Sequence, residues 1–309
     1  INLRCGSAAN RASGMSDKTS YLRDRTQRFL FEDADIRGEV VQLQGAYRDV
    51  IDLHQYAPGV SRLLGEFMTA AVLLATTLKF EGKLVLQARS EGQVPLLMAE
   101  CDSSLNIRAI ARGAQQATAE RFDQLLPGGT LAITIDPSRG QRYQGIVPLV
   151  ENSLAQSLDA YFLQSEQLGT RFWLAADGDG AAGMLLQQLP AQQEKDGSRR
   201  HDQWEHACTL AATVQEQELL DLTAPEIIHR LYHREPLRLF SPNTVRFSCN
   251  CSRERTFNAL VSLPAVELRE LLEELGSITM DCEFCNQQYR FTEPDLEAVL
   301  QPEQPGRLH

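Results

Sequence analysis

Apolar residues recur along this chain in more than one rhythm, and each change of rhythm marks a new segment. Between about Arg25 and Leu189, Phe29-Leu30-Phe31 and Val40-Val41 read as strands, with a glycine-turned break at Arg37-Gly38 between them. After Pro58, the residues Val60, Leu63, Leu64, Phe67, Met68, Ala71, Val72 and Ala75 fall at helical spacing and predict one long buried helix. The proline is tolerated at or before its first turn. Short apolar runs then dominate: Leu84-Val85-Leu86, Leu96-Leu97-Met98, Ile107-Arg108-Ala109-Ile110, Leu131 to Ile135, Gly145-Ile146-Val147, Phe172-Trp173-Leu174 and Met184-Leu185-Leu186. Turn text such as Pro127-Gly128-Gly129, Asp136-Pro137-Ser138 and Asp177-Gly178 separates them, so each is predicted as a strand. A helix fits residues 154–164, with Leu154, Leu158, Tyr161 and Phe162 on one face. Many strands with few long crossovers predict an α+β fold, a mostly antiparallel sheet with packed helices.

The pattern changes at Ala191. From there to Asn243 the chain is rich in glutamine and charge. Trp204, Leu210, Leu219, Leu220, Leu222, Ile227, Ile228, Leu231 and Tyr232 are spaced to line amphipathic helices. Thr223-Ala224-Pro225-Glu226 matches a capping box, and residues 192–202 read as a solvated link. From Thr244 the order is strand, C-x-C, helix (264–275), strand, C-x-x-C, strand (Tyr289 to Phe291) and a helix capped near Thr292. The predicted organisation is therefore an N-terminal core domain over residues 15–190, a helical linker over 191–243 and a small C-terminal domain over 244–309. Residues 1–14, which precede Met15 and lack the apolar stretch of a secretory signal, read as a cloning remnant, and Cys5 with them.

Composition narrows the function classes. A formal net charge of −11 over 309 residues suits neither nucleic-acid phosphates nor anionic membrane surfaces. No apolar run reaches the roughly 18 residues a membrane span needs. Without a secretion signal, the expected compartment is reducing, where thiols stay free or bind metal.

Outside the leader, Cys101 and Cys208 stand alone and read as buried fillers. The other four cysteines form two close pairs, Cys249-Asn250-Cys251 and Cys282-Glu283-Phe284-Cys285. On strand-like text, residues two apart share a face, so Cys249 and Cys251 can reach one ion. The C-x-x-C between two strands needs a tight turn, and Asn286 is among the few non-glycine residues that accept the left-handed conformation such a turn uses. Four thiolates in a small β-rich unit point to one closed, tetrahedral zinc site with no open position for a substrate. The unit is too short to be held by its core alone and needs such a staple. Bound zinc in small modules is worth roughly 10–16 kcal/mol, against about 5–15 kcal/mol for a whole domain, so losing the metal should unfold the unit. Thiolates are also what oxidants attack. The residues alone leave two readings open: an oxidation-triggered unfolding switch, and a structural zinc inert to oxidants.

Weaker motifs carry less. His229 and His233 are spaced as in a zinc-protease helix, but Arg230 stands where the general-base glutamate belongs. Asp177-Gly178-Asp179-Gly180 lacks the later ligands of a calcium loop and reads as a hairpin turn. No P-loop and no G-x-S-x-G occurs. A thiol–disulfide oxidoreductase, or a small-molecule enzyme with a structural zinc tail, remains the alternative. Serine at Cys282 abolishes reductase turnover under the first of these, and the second requires a deep polar pocket in residues 25–190.

Cys249-Asn250-Cys251-Ser252-Arg253-Glu254-Arg255 followed by Cys282-Glu283-Phe284-Cys285 resembles the signature of the heat shock protein 33 family. Phe29-Leu30-Phe31-Glu32, Ile36-Arg37-Gly38-Glu39, Thr77 to Gly82, Arg142 to Val147, Tyr161 to Leu168, Gly183 to Gln187 and Arg230-Leu231-Tyr232-His233 resemble it too, so the likeness runs from about Phe29 to Phe291. The resemblance implies a cytoplasmic holdase that uses no ATP or other nucleotide and is not an enzyme. Reduced, it holds one zinc ion through Cys249, Cys251, Cys282 and Cys285 and is inactive. Oxidised, the resemblance implies Cys249–Cys251 and Cys282–Cys285 disulfides, zinc release, local unfolding, homodimerisation and capture of unfolding clients, with the client-binding residues unspecified. It implies no nucleic-acid or membrane partner.

Overall fold

The computed structural model describes residues 23–78, 81–149, 152–165 and 168–300. The cloning-remnant reading of residues 1–14, and the family-like text at Lys79-Phe80 and Glu166-Gln167, lie outside them. The chain divides into two compact units, one ending at Phe247 and one beginning at Ser248.

The first unit runs β1 (Arg25–Phe31), β2 (Ile36–Leu43), α1 (Gly45–Ile51), α2 (Pro58–Thr77), β3 (Gly82–Arg89), β4 (Leu96–Asp102), β5 (Asn106–Arg112), the single turn α3 (Phe122–Leu125), β6 (Gly129–Pro137), β7 (Tyr143–Leu149), α4 (Leu154–Ser165), β8 (Thr170–Ala176), β9 (Ala181–Gln188), α5 (Gly197–Ala211), α6 (Glu216–Asp221), α7 (Ala224–Tyr232), β10 (Leu237–Leu239), β11 (Asn243–Thr244) and β12 (Arg246–Phe247). Two sheets form, in the orders β10-β1-β2-β9-β8 and β12-β5-β4-β3-β6-β7, with β11 also on β1. Among the described strand pairs only β12 with β5 is parallel. The fold is α+β with antiparallel sheets, as the alternating runs predict.

Helix α2 packs on β2, β8 and β9 of one sheet and on β3, β4 and β5 of the other. It is therefore apolar nearly all round, with Val60, Leu64, Phe67, Met68 and Leu73 inaccessible. Its 20 residues would by length and composition cross a membrane, but 83% of that apolar window is buried inside the protein, so the two sheets account for it.

The expected break at Arg37-Gly38 is not where the chain turns. Reversal occurs over residues 32–35, and Gly38 lies inside β2 opposite Phe29. A Cβ on Gly38 would sit 2.0 Å from Cζ of Phe29. Glycine here makes room for an aromatic ring rather than bending the backbone.

The other face of the first sheet is covered by α5, α6 and α7. Phe29, Phe31, Ile36, Val40, Met184 and Leu186 on the sheet meet Trp204, Ala207, Leu219, Ile227, Ile228 and Tyr232 on the helices. Tyr232 stands edge-on to Phe31 at 5.0 Å between ring centroids and donates its hydroxyl to Ala207 O at 3.1 Å. The capping box of α7 forms as read, with Thr223 N donating to Glu226 at 2.7 Å. Part of the segment read as a solvated link is helix instead: Asp196 accepts from Ser198 N and Arg199 N and starts α5 at Gly197. A second carboxylate holds the chain just before it. Asp35, buried in the β1–β2 turn, accepts from the backbone N–H of Gln192, Gln193 and Glu194 and from Arg200 Nη1 at 2.9 Å.

The second unit contains α8 (Arg253–Leu260), α9 (Ala265–Leu275), β13 (Ile278–Asp281), β14 (Gln288–Phe291) and α10 (Glu293–Leu300). Its core is small: Leu260, Leu268, Leu272, Ile278, Phe291 and Leu296.

Candidate metal centre

Strands β13 and β14 form a hairpin closed by the Asp281–Gln288 pair, and the C-x-x-C fills its loop. Cys282 N donates to Gln287 O at 2.9 Å, and Asn286 N donates back to Cys282 O at 2.8 Å. Asn286 takes a φ of 56°. This is the left-handed residue expected after the second cysteine, in a conformation asparagine tolerates better than most.

The C-x-C is built differently from the sequence reading. Strand β12 ends at Phe247 and pairs with β5 of the first unit, so Cys249 and Cys251 lie on irregular chain, not on a strand. Their convergence is set by residues 252–255 instead. Ser252 caps α8, a helix absent from the sequence reading, by accepting from Arg255 N, while Arg255 Nη1 donates to Asn250 O at 2.8 Å. A serine directly before a helix-forming stretch is the available signal. Arg253 fastens this segment to β14: Nη1 donates to Arg290 O at 2.6 Å, Nη2 pairs with Asp295 at 2.7 Å, and the guanidinium lies 4.5 Å from the Phe291 ring centroid. Asp295 also caps α10 by accepting from Thr292 N, where the sequence places that cap.

The four half-buried sulfurs all lie within 4.8 Å of one another. Cys249 and Cys282 are 3.6 Å apart, and Cys251 and Cys285 are 3.4 Å apart. Metal–sulfur bonds of about 2.3 Å in a tetrahedron require sulfur–sulfur edges of roughly 3.8 Å, so the cluster has the size of a four-thiolate site. Among the described residues it is the one group of cysteine, histidine and carboxylate side chains gathered tightly enough to surround an ion. Burial pushes the Cys282 and Cys285 thiols up. A coordinated dication acts in the opposite sense and deprotonates a ligating thiol outright. Tyr289 completes the site: its hydroxyl lies 3.1 Å from Cys251 Sγ, and that hydrogen bond pushes the phenol up to about 12. The sequence shows Tyr289 only as a strand residue, because no spacing rule links it to a cysteine 38 positions earlier.

The remaining candidates belong to the first unit. Cys101 is inaccessible on β4 and Cys208 half-buried on α5, and burial pushes both thiols up, that of Cys208 to about 12. His229 on α7 and His233 just after its end have tilted rings with centroids 6.0 Å apart. Asp177 closes a hairpin turn, accepting from Asp179 N and Gly180 N.

The sequence profile described as "HSP33: Hsp33 protein" matches residues 24–292. A "33 kDa chaperonin" of Pseudomonas paraeruginosa is 52% identical over 280 residues, covering 90% of this chain and 94% of its own. Another, from Pseudomonas aeruginosa, is 53% identical with the same coverage. The fold matches the crystal structure of the 33 kDa chaperonin (heat shock protein 33 homolog) of Thermotoga maritima with a TM-score of 0.76, over 90% of this chain and 98% of that one. At 21% identity the latter is a likeness of fold.

Proposed function

The chain belongs to the Hsp33 family of non-enzymatic chaperones, and from that premise we propose that it is a redox-regulated holdase of the cytoplasm that works without ATP. In the reduced state Cys249, Cys251, Cys282 and Cys285 hold one zinc ion. The ion's part is structural: it draws the irregular C-x-C chain and the β13–β14 hairpin together in a unit whose apolar core is small. Oxidation joins Cys249 to Cys251 and Cys282 to Cys285, the zinc leaves, and residues 248–300 lose their fold. Residues 191–243 then act as a linker that comes away from the first sheet and uncovers an apolar face. Unfolding proteins are held there, and the active form is a homodimer.

The observation that carries this reading is the convergence of four sulfurs within 4.8 Å in a unit with so little core of its own. The apolar face under α5, α6 and α7 supports the client role, since an exposed patch of Phe29, Phe31, Ile36, Val40, Met184 and Leu186 is a binding surface for non-native chains. The charge of −11 helps keep such complexes in solution. Light scattering of a heat-unfolding client tests the proposal. Suppression of aggregation is expected from peroxide-treated, zinc-free protein and not from the reduced zinc form. Equal behaviour of the two forms would reduce the cysteines to a structural staple.

A further inference from the structure

We propose that the Tyr289 phenol sets the oxidation threshold of the thiolate centre by donating a hydrogen bond to Cys251 Sγ. The inference rests on the zinc and redox reading above and assigns a positioning residue to it. The hydroxyl lies 3.1 Å from the sulfur. Two constraints fix that distance. Tyr289 is registered opposite Met280 in the β13–β14 hairpin that carries the C-x-x-C. Arg253, two residues after Cys251, clamps the next two residues of the same strand, through Arg290 O and the Phe291 ring. The phenol is thus held between the two cysteine motifs, within reach of one sulfur of the C-x-C.

A donor on a ligating thiolate draws charge from the sulfur. It holds the thiolate in place as a metal ligand, as outer partners of metal ligands generally do, and by drawing charge from the sulfur it weakens it as a nucleophile. The reaction it slows is oxidation by a hydroperoxide. One thiolate attacks the peroxide oxygen, the O–O bond breaks, and the departing hydroxide takes a proton to become water. A second thiolate then displaces the sulfur-bound oxygen, which leaves as water with a further proton. In total two thiolates, one hydrogen peroxide and two protons give one disulfide and two waters, and the two electrons lost by sulfur reduce the peroxide.

The test is Tyr289→Phe in the full-length, reduced, zinc-loaded chain, which keeps the ring and removes the donor. Zinc affinity, read by competition with a chromophoric chelator, is expected to fall roughly tenfold, the lower end for such partners. Peroxide-driven zinc release is expected to accelerate several-fold. With cobalt in place of zinc, the thiolate-to-metal charge-transfer band is expected to move to lower energy, a change that a packing role of the ring would not produce. Unchanged affinity, release rate and band position in Y289F overturn the inference. If Y289F fails to load metal, replacing Tyr289 by 3-fluorotyrosine, a stronger donor of nearly the same shape, decides: slower release than wild type supports the inference, and equal or faster release overturns it. Wild-type protein that keeps its zinc under peroxide overturns the functional reading and this inference with it.

Discussion

Asn286, with its φ of 56°, and the two cysteines in the hairpin loop show how much of this centre is local. The C-x-x-C pair and the residue that turns the chain beside it lie within a few positions, so the sequence displays them together. Tyr289 and Gly38 show the limit. Gly38 looks like a turn residue, but it is defined by the Phe29 ring across the sheet, and Tyr289 by a sulfur on another segment. Both roles depend on register, which residue type alone does not carry. At this scale the ligand set is tested by Cys285→Ser. Three thiolates and a hydroxyl make a much poorer zinc site, and the unit stands to lose most of a contribution of roughly 10–16 kcal/mol. The variant is expected to lose zinc to a chelator that the wild type withstands, and residues 253–300 are expected to become protease-sensitive without any oxidant. A variant that keeps both zinc and protease resistance would remove Cys285 from the ligand set.

At the scale of elements, what the chain announces is again what is local. The long apolar periodicity after Pro58 and the Thr223–Glu226 box specify α2 and α7 within their own residues. The start of α5 is hidden from the sequence because part of its support comes from Asp35, more than 150 positions earlier, which holds Gln192, Gln193, Glu194 and Arg200. Although burial pushes the Asp35 carboxyl up, the three backbone amides and the Arg200 guanidinium outweigh it and hold it below the ordinary range. A carboxylate lowered on folding stabilises above its unfolded value and loses that contribution as pH falls through the lowered one. Asp35→Asn is therefore expected to loosen residues 191–211 at neutral pH, by about 1–3 kcal/mol for a buried hydrogen-bonded charge group. Limited proteolysis should detect this in the reduced protein. The difference between variant and wild type should stay constant from neutral pH down to the ordinary aspartate value of 3.8 and shrink only below it. A difference that vanishes already near pH 6 would mean that Asp35 is not the group holding the segment.

At the scale of the molecule, the α+β class is legible because half-buried strands alternate and buried helices do not. The order of strands in the two sheets is not. Nothing in the text of residues 243–247 shows that β11 and β12 are added to the first unit, on β1 and β5, beside the C-x-C. Pairing partners more than a hundred positions away are chosen by edges left open elsewhere in the fold. Three parts carry the proposed function: a four-cysteine unit with little core, a set of helices covering an apolar sheet face, and a first unit with an extensive core of its own. Hydrogen exchange followed by mass spectrometry, on reduced zinc-loaded protein and on protein brought to full client-holding activity with peroxide, measures all three at once. Protection is expected to be lost over residues 253–300 and 197–232 while α2 and β3 to β6 keep theirs. Full activity with residues 197–232 still protected would contradict the account, because the apolar face of the first sheet would then remain covered in the form that holds clients.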